Sequence, residues 1–211
     1  MSHAALADVR LIAITDRAVA SADTTLSRVE RLVKRARPRS VVVQLRDREL
    51  GARERLQFGS ELVALTRAHR QLFQVNDRLD LAVVLDADGV HLGEASVMTH
   101  DARALLGAQR FVTRACHAAE RATEVDADGI LLSPVFAPRK AAAALGAQSL
   151  ARARQLLHAG ARPARLFALG GVDATNAASC LTAGADGAAA IGAAVGSDAP
   201  EALLSALGIL V

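Results

Sequence analysis

The chain has 211 residues, 52% of them hydrophobic, with 25 Lys and Arg against 22 Asp and Glu for a formal net charge of +3, which is enough apolar material for a sizeable core. No apolar run approaches the roughly 18–20 residues needed to cross a bilayer, and the start "MSHAALADVR" lacks a basic segment leading into an apolar one. Scattered arginines, no Trp or Tyr and five Phe argue against nucleic acid as a partner and leave a small anionic substrate, in the cytoplasm, as the expectation.

In chain order, short aliphatic or β-branched runs alternate with amphipathic or Ala-rich segments. "RLIAIT" (10–15) is followed by "TTLSRVERLVKRA", with Leu26, Val29, Leu32 and Val33 at helical spacing. "SVVVQL" (40–45) is followed by "ARERLQFGSELVALTRAH", with Leu56, Leu62, Val63 and Leu65 in the same pattern. Then come "LFQVN" (72–76), "DGVHLG" (88–93), "RFVTRA" (110–115), "DGILLS" (128–133), "ARLFALG" (164–170) and "GAAAIG" (187–192). Strands apolar at nearly every position are buried on both faces, as in a parallel sheet wrapped by helices. Eight such units predict an α/β fold, a (β/α)8 TIM barrel over residues 1–211 as one domain, compact for a class that typically runs to about 250 residues. An open doubly wound sheet is the rival and needs fewer strands.

Asp88-Gly89, Asp128-Gly129 and Asp186-Gly187 each introduce a run. They read as turns at the end of the barrel that serves stability. Cys116 and Cys180 have no metal or redox spacing and read as packed thiols. "PRKAAAALGAQ" (138–148) follows the sixth strand and reads equally as helix or as a loop over the active face.

Barrel chemistry sits where strands finish. Thr15-Asp16-Arg17 ends the first strand, and alternation along the second points Gln44, Arg46 and Arg48 to one side. Such cations on an apolar strand need an anion or an acidic neighbour, Asp16 or Asp77. Asn76-Asp77 ends the third strand; His91 lies within the fourth as a barrel-layer residue, ahead of Gly93-Glu94. Asp77 and Glu94 could share Mg²⁺, a hard cation that takes carboxylate and diphosphate oxygens together. His117, just past the fifth strand, is a candidate acid or base. Gly170-Gly171 after the seventh strand and Ile191-Gly192 after the eighth suggest a phosphate cup of backbone amides.

Taken in order, "ITDR", "QLRDR", "VNDRLDLA", "ADGVHLG", "SPVF", "LGGV" and "AGADGAAAIGA" resemble the thiamine-phosphate synthase family and its sister, the thiazole tautomerase (TenI) family. The resemblance implies a barrel that joins hydroxymethylpyrimidine diphosphate to a thiazole phosphate, releasing pyrophosphate in a dissociative, Mg²⁺-assisted step. It implies Gln44, Arg46, Arg48 and Asn76 for the pyrimidine and its diphosphate, Asp77 for Mg²⁺, and Gly171, Ile191 and Gly192 for the thiazole phosphate. Arg139 and Lys140 stand in place of a threonine-rich cationic loop, Ala115 in place of a serine, and Ser96 where the synthases carry a second metal-binding Asp. The tautomerase reading needs no metal and implies His117 as acid and base, with Arg114 and Glu120 in its pattern. A non-catalytic phosphate-ligand-binding barrel is the third reading. Small phosphorylated thiamine precursors are the expected partners, with subunit number left open.

Overall fold

The computed structural model describes residues 5–136, 143–160 and 164–211. Eight strands, β1 (Leu11–Ile14), β2 (Val41–Leu45), β3 (Leu72–Asn76), β4 (Gly89–Leu92), β5 (Phe111–Cys116), β6 (Gly129–Leu132), β7 (Arg165–Leu169) and β8 (Gly187–Ala190), pair in chain order. All eight pairings are parallel, and β8 returns to β1 to close the barrel. The predicted (β/α)8 barrel is therefore the fold. Two-sided burial explains the near-continuous apolar runs. Ile12, Ile14, Val42, Leu72, Phe111, Leu131, Phe167 and Ala189 fill the interior. Alternate residues such as Leu11, Ala13, Val41, Val43, Val90 and Leu166 face the helices.

Helix α1 (Ala22–Arg35) starts where the Ser21 hydroxyl accepts from Thr24 N–H, and buries Val29, Leu32 and Val33 at the predicted spacing. In α2 (Ala52–Ala68), Phe58, Leu62 and Val63 make the buried stripe, while Leu56 faces outward. Shorter helices α3 (Leu79–Val84), α4 (Thr99–Leu106), α5 (Gln148–Ala159), α6 (Ala177–Thr182), α7 (Gly192–Val195) and α8 (Glu201–Ala206) follow. A 3₁₀ helix, Ala119–Glu124, takes the place of a helix between β5 and β6. Residues 137–142 lie outside the described part; beyond them Leu145 and Gly146 N–H donate back to the carbonyls of Pro134 and Val135 before α5 begins. Cys116 and Cys180 are free, buried thiols.

The base of the barrel gives the Asp-Gly pairs a different origin from the one expected. Asp88, Asp128 and Asp186 each accept, through a carboxylate oxygen, the N–H of the second residue of the preceding strand: Phe73 at 2.8 Å, Val112 at 2.8 Å and Leu166 at 2.7 Å. The glycines that follow do not have positive φ. They are small because the interior is crowded: a Cβ on Gly89 would lie 2.4 Å from the Phe111 ring, and one on Gly187 2.4 Å from the Arg10 carbonyl oxygen.

Candidate active site

Interior positions toward the C-terminal ends of the strands divide by chemistry. Ile14, Leu131, Leu169 and Ala189 line the side made by β1 and β6–β8. Gln44, Gln74, Asn76, His91 and Thr113 line the side made by β2–β5, and all five are buried. Buried polar groups must be paired, and these are paired with one another. His91 Nδ1 lies 2.9 Å from Thr113 Oγ1, and Thr113 Oγ1 donates to Gln74 Oε1 at 3.1 Å. Gln74 Nε2 donates to Gln44 Oε1 at 2.7 Å, and Gln44 Nε2 donates to Asn76 Oδ1 at 3.2 Å. Asn76 Nδ2 closes the series on Asp77 Oδ2 at 2.7 Å. Burial lowers the His91 pKa to about 4, so its imidazole is neutral at physiological pH. The sequence places His91 correctly in a barrel layer, but Gln74 and Thr113 were not singled out.

Asp77 sits in the left-handed region at φ 59°, a conformation that Asp tolerates better than most residues. The turn aims its carboxylate across the end of β4. Oδ1 accepts from Gly93 N–H at 3.2 Å and from the Ser96 hydroxyl, which itself accepts from Gly93 N–H at 2.8 Å. Arg48 lies 3.7 Å from Oδ2. Ser96 therefore occupies the space beside Asp77 as a donor.

Glu94 does not join this group. Its Oε1 accepts from His117 N–H at 3.2 Å and pairs with Arg121 at 3.5 Å, so the shared Asp77 and Glu94 metal site of the sequence reading is not assembled. Among the described residues no group of three or more His, Cys, Asp and Glu could hold a metal. Oδ1 accepts from two donors and Oδ2 from Asn76, so what Asp77 has left for a cation is one lone pair of Oδ2, on an oxygen that Arg48 approaches at 3.7 Å. One carboxylate together with substrate phosphates is a common setting for Mg²⁺, so the residues fit a one-carboxylate site.

The two arginines of "QLRDR" are rim residues. Strand β2 ends at Leu45, so the strand alternation that put them beside Gln44 does not reach them. Arg46 is tied to Asp16 at 2.8 Å, whereas Arg48 has two-thirds of its side chain exposed. Between them Asp47 is 1% exposed. Its Oδ2 accepts from the Thr15 hydroxyl while Oδ1 is buried with no hydrogen-bond partner among the described residues, and desolvation raises its pKa despite the Thr15 bond.

His117 Nδ1 lies 2.8 Å from the Ser133 carbonyl oxygen. The Ser133 hydroxyl lies 3.1 Å from the same nitrogen; the carbonyl, which only accepts, makes the shorter contact, so it places a proton on Nδ1 and directs Nε2 away from this pair. Arg114 points away from the interior and ties down the loop after β4, donating to the carbonyls of Val97, Glu94 and Ser96 at 2.9, 3.4 and 3.4 Å. Gly170 and Gly171 have φ of 95° and 63°, and Gly170 passes close to Pro134, where a Cβ would lie at 2.8 Å. Gly192 opens α7, and a Cβ there would meet nothing within 4 Å. Ile191 precedes it, partly buried against the core. Arg139 and Lys140 lie outside the described residues.

Residues 11–194 match the family model described as thiamine monophosphate synthase. The chain belongs to this family. Relatives include the thiamine-phosphate synthase of Parasynechococcus marenigrum, 37% identical over 82% of this chain and 50% of the relative. That of Syntrophomonas wolfei is 36% identical over 90% of both. The chain thus spans half the length of the first relative and nearly all of the second. Among solved structures, thiamine phosphate pyrophosphorylase from Pyrococcus furiosus superposes with a TM-score of 0.80 at 27% identity, covering 96% of each chain. A 3-hexulose-6-phosphate synthase at 18% identity and TM-score 0.63 shares the fold. No helix among the described residues of this family member is long and apolar enough to cross a membrane.

Proposed function

We propose that this barrel is a thiamine-phosphate synthase, joining hydroxymethylpyrimidine diphosphate to a thiazole phosphate to give thiamine phosphate and pyrophosphate in the cytoplasm. The observation that carries the reading is the continuous polar face from Gln44 through Asn76 to Asp77, with Arg48 beside it, in a chain of this family. A flat heteroaromatic ring needs donors and acceptors held in one orientation, and Gln44 and Asn76 each have part of their amide left over after their mutual bond. In the reaction the pyrimidine methylene–oxygen bond breaks, the electron pair leaves with pyrophosphate, and the thiazole nitrogen forms the new C–N bond. The departing charge needs compensation. Arg48, exposed and held at only 3.7 Å by Asp77, is the cation free to turn toward it, while Arg46 is held in place by Asp16. Mg²⁺ held at Asp77 Oδ2 would supply further neutralisation of the diphosphate. The amides near Gly171, Ile191 and Gly192 are assigned to the thiazole phosphate, and Arg139 and Lys140 to the diphosphate.

The His117 tautomer favours one second reading, a metal-independent thiazole tautomerase with Nε2 as the base. Incubating the protein with both precursors, with Mg²⁺ or with EDTA, separates the two. The proposal expects thiamine phosphate and pyrophosphate with Mg²⁺, and a large loss on Asp77→Ala. Isomerised thiazole carboxylate phosphate formed in EDTA and abolished by His117→Ala, without condensation, would replace it with the tautomerase. Binding of the precursors without either reaction would leave a binding barrel.

A further inference from the structure

The buried polar series has a direction, and that direction is set at one end. An ionised carboxylate only accepts, so Asn76 must turn its NH₂ to Asp77. Its carbonyl then faces Gln44, which must present NH₂, and the Gln44 carbonyl must in turn receive the NH₂ of Gln74. That leaves the Gln74 carbonyl toward Thr113, whose single hydroxyl proton goes to it at 3.1 Å or to the Val90 carbonyl at 3.4 Å, two oxygens that only accept. The Thr113 oxygen can then only accept from His91, so Nδ1 carries the imidazole proton. Side-chain amides and imidazoles are oriented by their partners alone, and here five groups are ordered by one carboxylate.

We propose that Gln74 and Thr113 are positioning residues: Gln74 satisfies the Gln44 carbonyl in the orientation that Asp77 imposes through Asn76, and Thr113 carries that order on to His91, fixing it as the Nδ1–H tautomer, an acceptor at Nε2. Gln74 and Thr113 are 0% exposed and act only through their neighbours. A Thr113 without its hydroxyl leaves His91 without the partner that selects its tautomer, and an acceptor in place of the Gln74 NH₂ faces the Gln44 carbonyl and pulls that carboxamide away from Asn76. The tautomer stands on the geometry alone; the effect on binding rests on the proposed function, in which the pyrimidine lies against the polar face that Gln44 and His91 line.

Two measurements test this. Nitrogen-15 NMR of the imidazoles at pH 7, with the His91 signal assigned by its loss in His91→Gln, should show protonated Nδ1 and bare Nε2 in the unaltered protein. Calorimetry should show hydroxymethylpyrimidine diphosphate binding unchanged in Thr113→Ser, which keeps the hydroxyl. Thr113→Val should bind about tenfold more weakly, the typical result of orphaning a buried polar group, with thiazole phosphate binding unaffected. Gln74→Glu, an obligate acceptor where a donor is needed, should weaken pyrimidine binding as much and serves if the valine variant does not fold. A role in packing alone predicts the reverse order, since Val preserves the shape of Thr and Ser loses a methyl group. An Nε2–H tautomer in the unaltered protein, or Thr113→Val and Gln74→Glu that both bind like it, overturns the inference. If the unaltered protein binds no pyrimidine diphosphate, the proposed function fails, and the tautomer still decides the inference.

Discussion

Between pH 6.5 and pH 4, acid should weaken this barrel through His91. Its pKa is about 4 in the folded protein against 6.5 ordinarily, because burial disfavours the charged ring; Asp77 opposes that shift, and Arg48, Arg114 and Arg46 reinforce it. The unfolded chain therefore binds a proton that the folded chain refuses. The stability is fully present above pH 6.5 and is lost as pH falls toward 4. Each pH unit in that window costs about 1.4 kcal/mol, so going from neutral pH to pH 5 removes about 2 kcal/mol, and the whole window roughly 3 kcal/mol. Against the 5–15 kcal/mol of a typical domain that is a large share. Urea unfolding at pH 7 and pH 5, at fixed salt, should show His91→Gln losing about 2 kcal/mol less than the unaltered protein between the two pH values. Equal losses in the two proteins would refute the reasoning, whatever their absolute stabilities.

Three further outcomes follow from the same geometry. Gly187→Ala forces a methyl against the Arg10 carbonyl, which a backbone cannot readily evade, and should cost about 3 kcal/mol in chemical unfolding. Ser96→Asp places a second carboxylate against Asp77 in place of a donor; its Tm should fall by about 4 °C in EDTA and recover with Mg²⁺, whereas the unaltered protein should shift less. The raised pKa of Asp47 penalises its ionised form in the folded state, a penalty that begins near pH 3.8 and grows as pH rises. Comparing unfolding free energies at pH 3.5 and pH 7 should move the balance in favour of Asp47→Asn as pH rises.

The strands were legible because two-sided burial leaves its mark on every residue of a run such as Val41–Leu45. The helices were legible where one face is buried, as in α1. Gln44, Asn76 and Asp77 could be found because polar residues at the end of such a run stand out. Gln74 and Thr113 lie inside their strands, and what makes them significant is the barrel register, which sets Gln74 beside Gln44 and Thr113 beside His91. No linear spacing contains that. Glu94 misled for a related reason: two residues from Ser96 in sequence, it is carried by the loop after β4 toward His117 and Arg121, and the path of a loop is not written in its residue types.

The carboxylates at the base carry a consequence for how the molecule tolerates change. Asp88, Asp128 and Asp186 fasten β3, β5 and β7 from below, and the Gln71 side chain holds β2 by accepting from Val41 N–H at 3.0 Å. Closure is thus secured at the end of the strands opposite the polar face. Substitutions at the two ends share no partners and should add in free energy. Residues of the rim such as Ser96 can be replaced, and the chemistry there with them, on a foundation that does not register the exchange.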